Sequence, residues 1–404
     1  MTVDRVTDEV AEAILADICR STSREELFAG YERLRRRAPL FWSAAQGAWV
    51  ASTFAAVHEV FHHPDAVLDQ HAAEAFRAGA EGPWYDMWCR MMLFLDPADH
   101  ARIRRLVSRT FTKRAVERLR PVSQEVVDRL LGRLGDRREM DVIDEFAYEL
   151  PIAVIAGLSG LPEADVPKLL ELAHDFAARA NPSDRSADTI RCGDTAASAL
   201  GDYFREQLAR RRGDGDDMLS PLGAAARESE VAEADLIANA VLLFMAGHGT
   251  TANLIANAVT ALLEQPDQLA LLRREPERIA GAVEEFLRFD PPLHGDLRSF
   301  PGGATIAAET LEPGDRVLVL LAAANHDPAR WPDPDRLDIT RDAGEHISFG
   351  WGAYYCLGAA LARVQAQVAI GTLVERFPGL RLVSPPVWHP TLFGRGPVAL
   401  PVRW

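Results

Sequence analysis

The chain has 404 residues, 48% hydrophobic and 25% charged, with a formal net charge of −15. That balance is ordinary for a soluble globular protein with a large core, in one large domain or a few average ones. The acidic excess argues against nucleic acid as a partner, because phosphate binding needs a basic surface.

Residues 1–37 are charged throughout, and the longest apolar stretch, Ile237–Met245, is far too short to span a bilayer. Cys19, Cys89, Cys192 and Cys356 lack CxxC spacing, which disfavours a zinc knuckle or a disulfide framework and suits a reducing cytoplasm. A soluble, cytoplasmic protein without a membrane anchor is expected.

Along the chain, β-rich portions are expected near 40–62, 300–325 and 380–404, with a helical core over 97–290 and 357–376. Pro97 to about Leu134 has helical periodicity, with Ile103, Leu106, Val107 and Phe111 on one side. The same stretch concentrates Arg102, Arg104, Arg105, Arg109, Lys113, Arg114, Arg118 and Arg120. Such a run is either a solvated helix face or a docking patch for an acidic protein. Helices over Val166–Ala180 and Thr189–Arg212 flank the breaker cluster Asn181-Pro182-Ser183-Asp184, an arrangement that could form a movable lid.

Ala232–Glu264 reads as the longest helix, on the order of 45 Å, apolar nearly all round and so buried. Its centre, Ala246-Gly247-His248-Gly249-Thr250-Thr251, costs roughly 2–3 kcal/mol of helix propensity relative to alanine. Either the glycines form a packing notch, or the helix opens a groove towards a ligand or water, with the Thr250 hydroxyl facing it. Pro276–Phe289 predicts a helix with proline in its first turn, stopped by Pro291-Pro292, and Glu285 and Arg288 stand at salt-bridge spacing. Strands follow over Ala304–Ala307 and Arg316–Leu321, then an irregular stretch from Ala322 to Glu345.

Cys356 ends an extended run, His346 to Tyr355, just ahead of a helix beginning at Leu357-Gly358. A helix N-terminus favours thiolate over thiol, and a thiolate is a soft ligand for iron or another transition metal. Gly350, Gly352 and Gly358 remove side chains where something flat could lie against the backbone. A buried free cysteine beside a glycine turn is the competing interpretation of the same pattern.

Taken together these residues resemble the cytochrome P450 family over nearly the whole chain. Phe349–Gly358 resembles its haem-ligand loop, Ala246–Thr251 its oxygen-binding groove, and Glu285-Phe286-Leu287-Arg288 its Glu-x-x-Arg pair. Asp333-Pro334-Asp335-Arg336 resembles the meander whose arginine joins that pair, and Asp96–Val107 the helix that contacts the haem propionates. The resemblance implies a mainly α protein with a smaller β region, a single triangular helical domain over 1–404 enclosing haem b (iron-protoporphyrin IX). It makes Cys356 the metal ligand. His100, Arg104 and Arg298 become propionate contacts, with Phe349, Gly350, Tyr354, Gly358 and Ala246 around the cofactor and His248, Gly249 and Thr250 on the oxygen side.

Two positions depart from the family pattern. Tyr354 stands where soluble relatives usually carry His or Arg, so it brings a phenol without a positive charge. Gly249 stands where Asp or Glu usually precedes the helix threonine, which leaves Thr250 to work with water, with His248 or with the substrate. His248 itself reads as a satisfied core histidine. The implied function is a monooxygenase acting on a mainly apolar small molecule, resembling secondary-metabolite tailoring members. It would be fed by ferredoxin and an NAD(P)H-dependent ferredoxin reductase, and would be monomeric. The alternatives are an atypical haem-thiolate oxidase (coupling, ring formation, desaturation or peroxide-driven chemistry) and a non-enzymatic haem-binding sensor. Distal-pocket segments are expected at Leu68–Met92, Ala173–Thr189, Leu243–Gly247, Pro292–Leu297 and Thr391–Phe393.

Overall fold

The computed structural model describes residues 7–68, 81–180, 186–211, 215–228 and 231–404. They divide into two compact units interleaved along the chain. The first is drawn from Met1–Val67, Arg120–Leu150 and Gly249–Trp404, the second from Leu68–Leu119 and Pro151–His248.

The first unit holds the sheets. Their strands are β1 (Leu40–Ser43), β2 (Ala48–Ala51), β3 (Val67–Leu68), β4 (Glu139–Asp141), β5 (Asp296–Phe300), β6 (Ala304–Ile306), β7 (Glu309–Leu311), β8 (Asp315–Val319), β9 (Arg381–Leu382) and β10 (Pro401–Arg403). The largest sheet runs β1-β2-β8-β5-β3, with β4-β10-β9 and β6-β7 beside it. Strand β8 lies inside, parallel to β2 through Trp49↔Val317 and antiparallel to β5 through Arg298↔Val317. Its β-branched and leucine side chains are buried, as a central strand requires.

Strand structure expected over 40–62 ends at Ala51. Thr53 caps a helix instead, its Oγ1 accepting the Ala56 N–H, and Phe54–His62 follows with Ala56, Val57, Val60 and Phe61 buried. The 3.6-residue spacing of that apolar set overrides the local strand signal. This helix packs on the sheet in a core of Trp49, Val57, Val60, Phe300, Val317, Val319 and Ile347.

The expected 232–264 helix is two helices, Glu233–Ala246 and Gly249–Glu264, separated by a turn at Gly247 and His248. The low propensity of Gly-His-Gly prevails at the centre. The break coincides with the passage from the second unit to the first. Pro97–Leu134 likewise resolves into Pro97–Val107, Lys113–Glu117 and Arg120–Gly132. Pro276 opens a 3₁₀ turn rather than the helix, which starts at Ile279 and runs to Phe289. In the second unit, helices Val166–Arg179 and Ala187–Arg210 pack so closely that a Cβ on Gly193 would stand 2.6 Å from Cβ of Arg179. The breaker cluster at 181–184 lies outside the described residues. No described helix is long and apolar enough to cross a membrane.

A buried ion pair anchors the irregular 322–345 stretch. Arg288 donates to Glu285 through Nε (2.7 Å) and Nη2 (2.9 Å), both side chains fully buried. Its Nη1 reaches the carbonyls of Asn325 and Pro334 at 2.9 Å. The third partner is Arg341, whose Nε lies 3.3 Å from Glu285 Oε1, and not Arg336 as the sequence suggested. Arg336 contributes only its carbonyl, to Arg288 and Arg341. Asp333 adopts φ +46 and redirects the chain, so proximity in sequence misleads here.

A second buried network joins Tyr31, His294, Asp290 and Arg24. Tyr31 Oη stands 2.8 Å from His294 Nδ1, His294 Nε2 3.2 Å from Asp290, and Arg24 Nε 2.7 Å from Asp290. Burial would raise the Asp290 carboxyl, but the Arg24 charge and the His294 contact outweigh it and hold it at about 2. Burial pushes both His294 and His326 below the ordinary histidine value of 6.5, against the pull of Asp290 and Asp335. As pH falls through 6.5, the unfolded chain therefore takes up protons at these histidines while the folded chain resists. Stability is complete above that value and declines below it. A further loss follows as pH drops from the usual carboxylate value of 3.8 towards the pKa of Asp290. Thermal midpoints across pH 8 to 3 should fall from pH 7 to 5 and more steeply below 4; a flat profile from 7 to 5 would rule out neutral burial of these imidazoles.

Candidate active site

Ser348 and Asn325 fix the start of the cysteine loop. Asn325 Nδ2 donates to Ser348 Oγ (2.8 Å), Ser348 Oγ donates to the Leu287 carbonyl (2.7 Å), and Ile347 N–H reaches Asn325 Oδ1 (3.1 Å). The chain then turns at Gly350 (φ +70) and Gly352 (φ +67), conformations that glycine adopts without strain. Past that turn, Cys356 N–H bonds the Phe349 carbonyl at 2.9 Å, closing the loop on itself. The helix Ala359–Arg376 follows with Gly358 as its cap, so the exposed Cys356 precedes a helix N-terminus as the sequence implied.

Strand β5 brings Arg298 to this loop. Its guanidinium is nearly fully buried, donates to Asp296 Oδ2 (2.8 Å) and the Leu297 carbonyl (2.7 Å), and lies over the rings of Phe61 (4.9 Å) and Tyr354 (5.7 Å). A Cβ on Gly350 would stand 3.8 Å from Arg298 Nη2. The structure thus gathers Phe349, Gly350, Tyr354, Cys356, Gly358 and Arg298 in one unit. The Tyr354 ring lies beside the Arg298 guanidinium.

The first unit also carries Gly249 and Thr250, in the first turn of the helix Gly249–Glu264. In the same unit, two segments assigned to substrate meet in a β-bridge, Leu293↔Phe393, with His294 N–H donating to the Leu392 carbonyl at 2.8 Å.

In the second unit, His100 and Arg104 share one face of the helix Pro97–Val107. His100 is buried and its Nδ1 donates to the Met92 carbonyl at 3.0 Å, which fixes the tautomer of the neutral ring. Ala246 is exposed at the end of the helix Glu233–Ala246, although Leu236–Phe244 are buried. His248 Nδ1 is buried without a hydrogen bond, while the ring's contacts with the Met245 and Phe244 carbonyls raise its pKa against a larger depression by burial. Two further segments expected to line the distal pocket meet in this unit, where Trp84 Nε1 donates to the Phe176 carbonyl (2.9 Å) and the Trp84 ring stacks on Trp88 at 4.9 Å.

Sequence reasoning missed a cluster under the cysteine loop. Arg363, seven residues past Cys356, donates to Glu284 through Nε (2.7 Å) and Nη2 (2.8 Å) and to the Tyr355 hydroxyl through Nη1 (3.1 Å). It also lies over the Phe349 ring at 4.6 Å. The signal was present in the two adjacent acids, Glu284 and Glu285, of which only the second was read.

Among the described residues no three His, Cys, Asp or Glu side chains converge on a metal position. Cys356 is therefore a single-donor site. It suits a metal that carries its own equatorial ligands, and the Arg298 guanidinium beside it suits a carboxylate on such a macrocycle. The residues fit a haem.

Comparison with known proteins agrees. The profile of the family described as "Cytochrome P450" matches residues 198–386. The chain is 40% identical over 349 residues to cytochrome P450 107B1 of Saccharopolyspora erythraea, covering 85% of this chain and 84% of that protein. It is 38% identical over 325 residues to nocardicin C N-oxygenase of Nocardia uniformis, covering 78% and 79%. The crystal structure of CalO2 superposes with a TM-score of 0.89 at 35% identity, covering 96% of this chain and 98% of that one. The chain belongs to the cytochrome P450 family, as a haem-thiolate oxidoreductase of the monooxygenase type that carries protoporphyrin IX haem b.

Proposed function

We propose that this chain inserts one oxygen atom from O₂ into a mainly apolar small molecule in secondary-metabolite biosynthesis. The observation that carries this is the Cys356 loop, a lone thiolate donor at a helix N-terminus with a buried guanidinium beside it. When bound, haem supplies the oxygen chemistry, with the anionic sulfur favouring O–O cleavage.

Cys356 would hold the haem iron through its sulfur. Arg298, His100 and Arg104 bind the propionates, with Tyr354 donating a phenolic hydrogen bond. Because His100 Nδ1 already donates to Met92, a second donation from Nε2 needs the imidazolium, and an anionic propionate favours that form. Phe349, Gly350 and Gly358 would bind beside the sulfur, while Ala246, Gly249, Thr250 and His248 would serve oxygen. The apolar substrate class is supported by Trp84, Trp88 and Phe94 in one unit and by Leu293 and Phe393 in the other. Secondary metabolism is supported by the relative named for oxygenating nocardicin C. Bacterial members of the family typically take electrons from ferredoxin and its reductase. The same supply is proposed here, for a monomer in the cytoplasm.

A second interpretation, an atypical haem-thiolate oxidase, is favoured by Gly249 alone. Without an acid before Thr250, proton delivery falls to water, the substrate or the His248 imidazole, whose depressed pKa leaves it neutral at pH 7. A Cβ at Gly249 meets nothing within 4 Å, so an acid can be introduced there without a clash at Cβ. Gly249→Glu should raise the fraction of NADPH consumption that appears as hydroxylated product by about 2- to 10-fold, a conservative share of a general acid's contribution. Unchanged coupling and product would favour the atypical oxidase. Cys356→Ser should abolish the thiolate Soret band of the reduced, CO-bound protein while leaving far-UV circular dichroism intact. A wild-type band typical of histidine ligation would refute the ligand assignment.

A further inference from the structure

The Glu284–Arg363 pair is not needed to bind haem or substrate in the assignment above, yet it touches the cysteine loop at several points. Glu284 lies on the helix Ile279–Phe289 and Arg363 in the second turn of Ala359–Arg376. Their contact is bidentate, the geometry that fixes a guanidinium in angle as well as distance. The guanidinium covers the ring of Phe349, the residue whose carbonyl receives the Cys356 N–H. Its remaining nitrogen holds the hydroxyl of Tyr355, the immediate neighbour of Cys356.

Glu284 also meets the start of the loop. His346 Nε2 lies 3.3 Å from its carboxylate, and His346 Nδ1 accepts the Ser348 N–H at 3.2 Å. That second bond makes the neutral ring the Nε2–H tautomer, and Nε2 lies near the carboxylate without a hydrogen bond of good geometry. Burial would raise the Glu284 carboxyl, but His346 and Arg363 outweigh it and hold it at about 2. The acid therefore stays ionised across the working range, and the clamp does not open with pH. The half-buried Glu284 carboxylate meets the loop stem at His346, and through Arg363 it reaches Phe349 and the cysteine neighbour Tyr355.

We propose that Glu284 and Arg363 are positioning residues for the cysteine, clamping Phe349 and Tyr355 so that Cys356 presents its sulfur to the metal. The inference rests on the assignment of Cys356 as the haem ligand. Loosening the clamp lets the loop drift, which weakens the Phe349–Cys356 main-chain bond and displaces the sulfur.

The test uses the haem-loaded protein with the variants Glu284→Gln, Arg363→Ala, Arg363→Lys and Tyr355→Phe. The readouts are the reduced CO spectrum during mild warming and the midpoint potential of the haem. In Glu284→Gln and Arg363→Ala the ratio of thiolate-ligated to thiol-ligated complex should fall on the order of tenfold, with a more positive potential. Arg363→Lys should lie between these and wild type, because the charge returns without the planar fork. Tyr355→Phe should shift in the same direction by less. Wild-type ratios and potentials in Glu284→Gln and Arg363→Ala would overturn the proposal, as would a lowered melting temperature with both spectroscopic readouts unchanged. Should those two variants not fold, Arg363→Lys and Tyr355→Phe decide, and wild-type behaviour in both overturns it. A wild-type protein without the thiolate band would sink the ligand assignment itself, an outcome separate from failure of the clamp.

Discussion

The Glu285–Arg288 ion pair is the interaction on which the first unit depends. Both side chains are fully buried, so removing either partner would strand an uncompensated charge at a cost of about 3–5 kcal/mol. The pair is tolerable only because the remaining valences are filled by the chain around it. Arg288 takes the carbonyls of Asn325 and Pro334, while Glu285 takes the Asp338 N–H and the Arg341 side chain. A stretch with almost no regular secondary structure thereby gains a defined path. Asn325 then hands that order on to Ile347 and Ser348, the first residues of the cysteine loop.

One helix does two jobs by placing adjacent acids about 100° apart around its axis. Glu285 points at the meander and is sealed from water; Glu284 points at the cysteine loop and the helix that follows it, and is half-buried. Their chemistry diverges accordingly. Glu285 is a structural charge whose loss threatens the fold. Glu284 sits where a loss of order reaches Phe349 and Tyr355 first, which separates the tuning of the loop from the stability of the unit. This separation is physically useful, since a ligand loop must be held in place without being part of the main core.

The elements legible in the sequence were those whose partners are close along the chain. Glu285 and Arg288 are three residues apart on a helix, and the turn before Cys356 announces itself through Gly350 and Gly352. Arg341 was not legible, because an irregular segment gives no periodicity from which to compute facing residues, and Arg336 lay nearer to the recognised motif. The Tyr31–His294–Asp290–Arg24 network joins residues more than 250 positions apart, and nothing local marks them as neighbours. The break at Gly247-His248 was legible as a propensity cost but was expected to be absorbed by burial. The helix instead yields at its weakest point. Arg363 was invisible for a different reason: an arginine on a helix is normally a solvated charge, and only the fold shows that this one lies over Phe349.

The helix break changes what the missing acid means. In an unbroken helix, Gly249 would be a mid-helix substitution whose effect is confined to the lost side chain. Here it is the first residue of the second helix, with Thr250 in the opening turn, where the helix dipole favours negative charge. The adjacent His248 adds a buried Nδ1 with no hydrogen bond. A carboxylate at 249 would therefore stand at a helix start, where the positive end of the dipole stabilises its ionised form, and the glycine there removes that charge as well as a side chain.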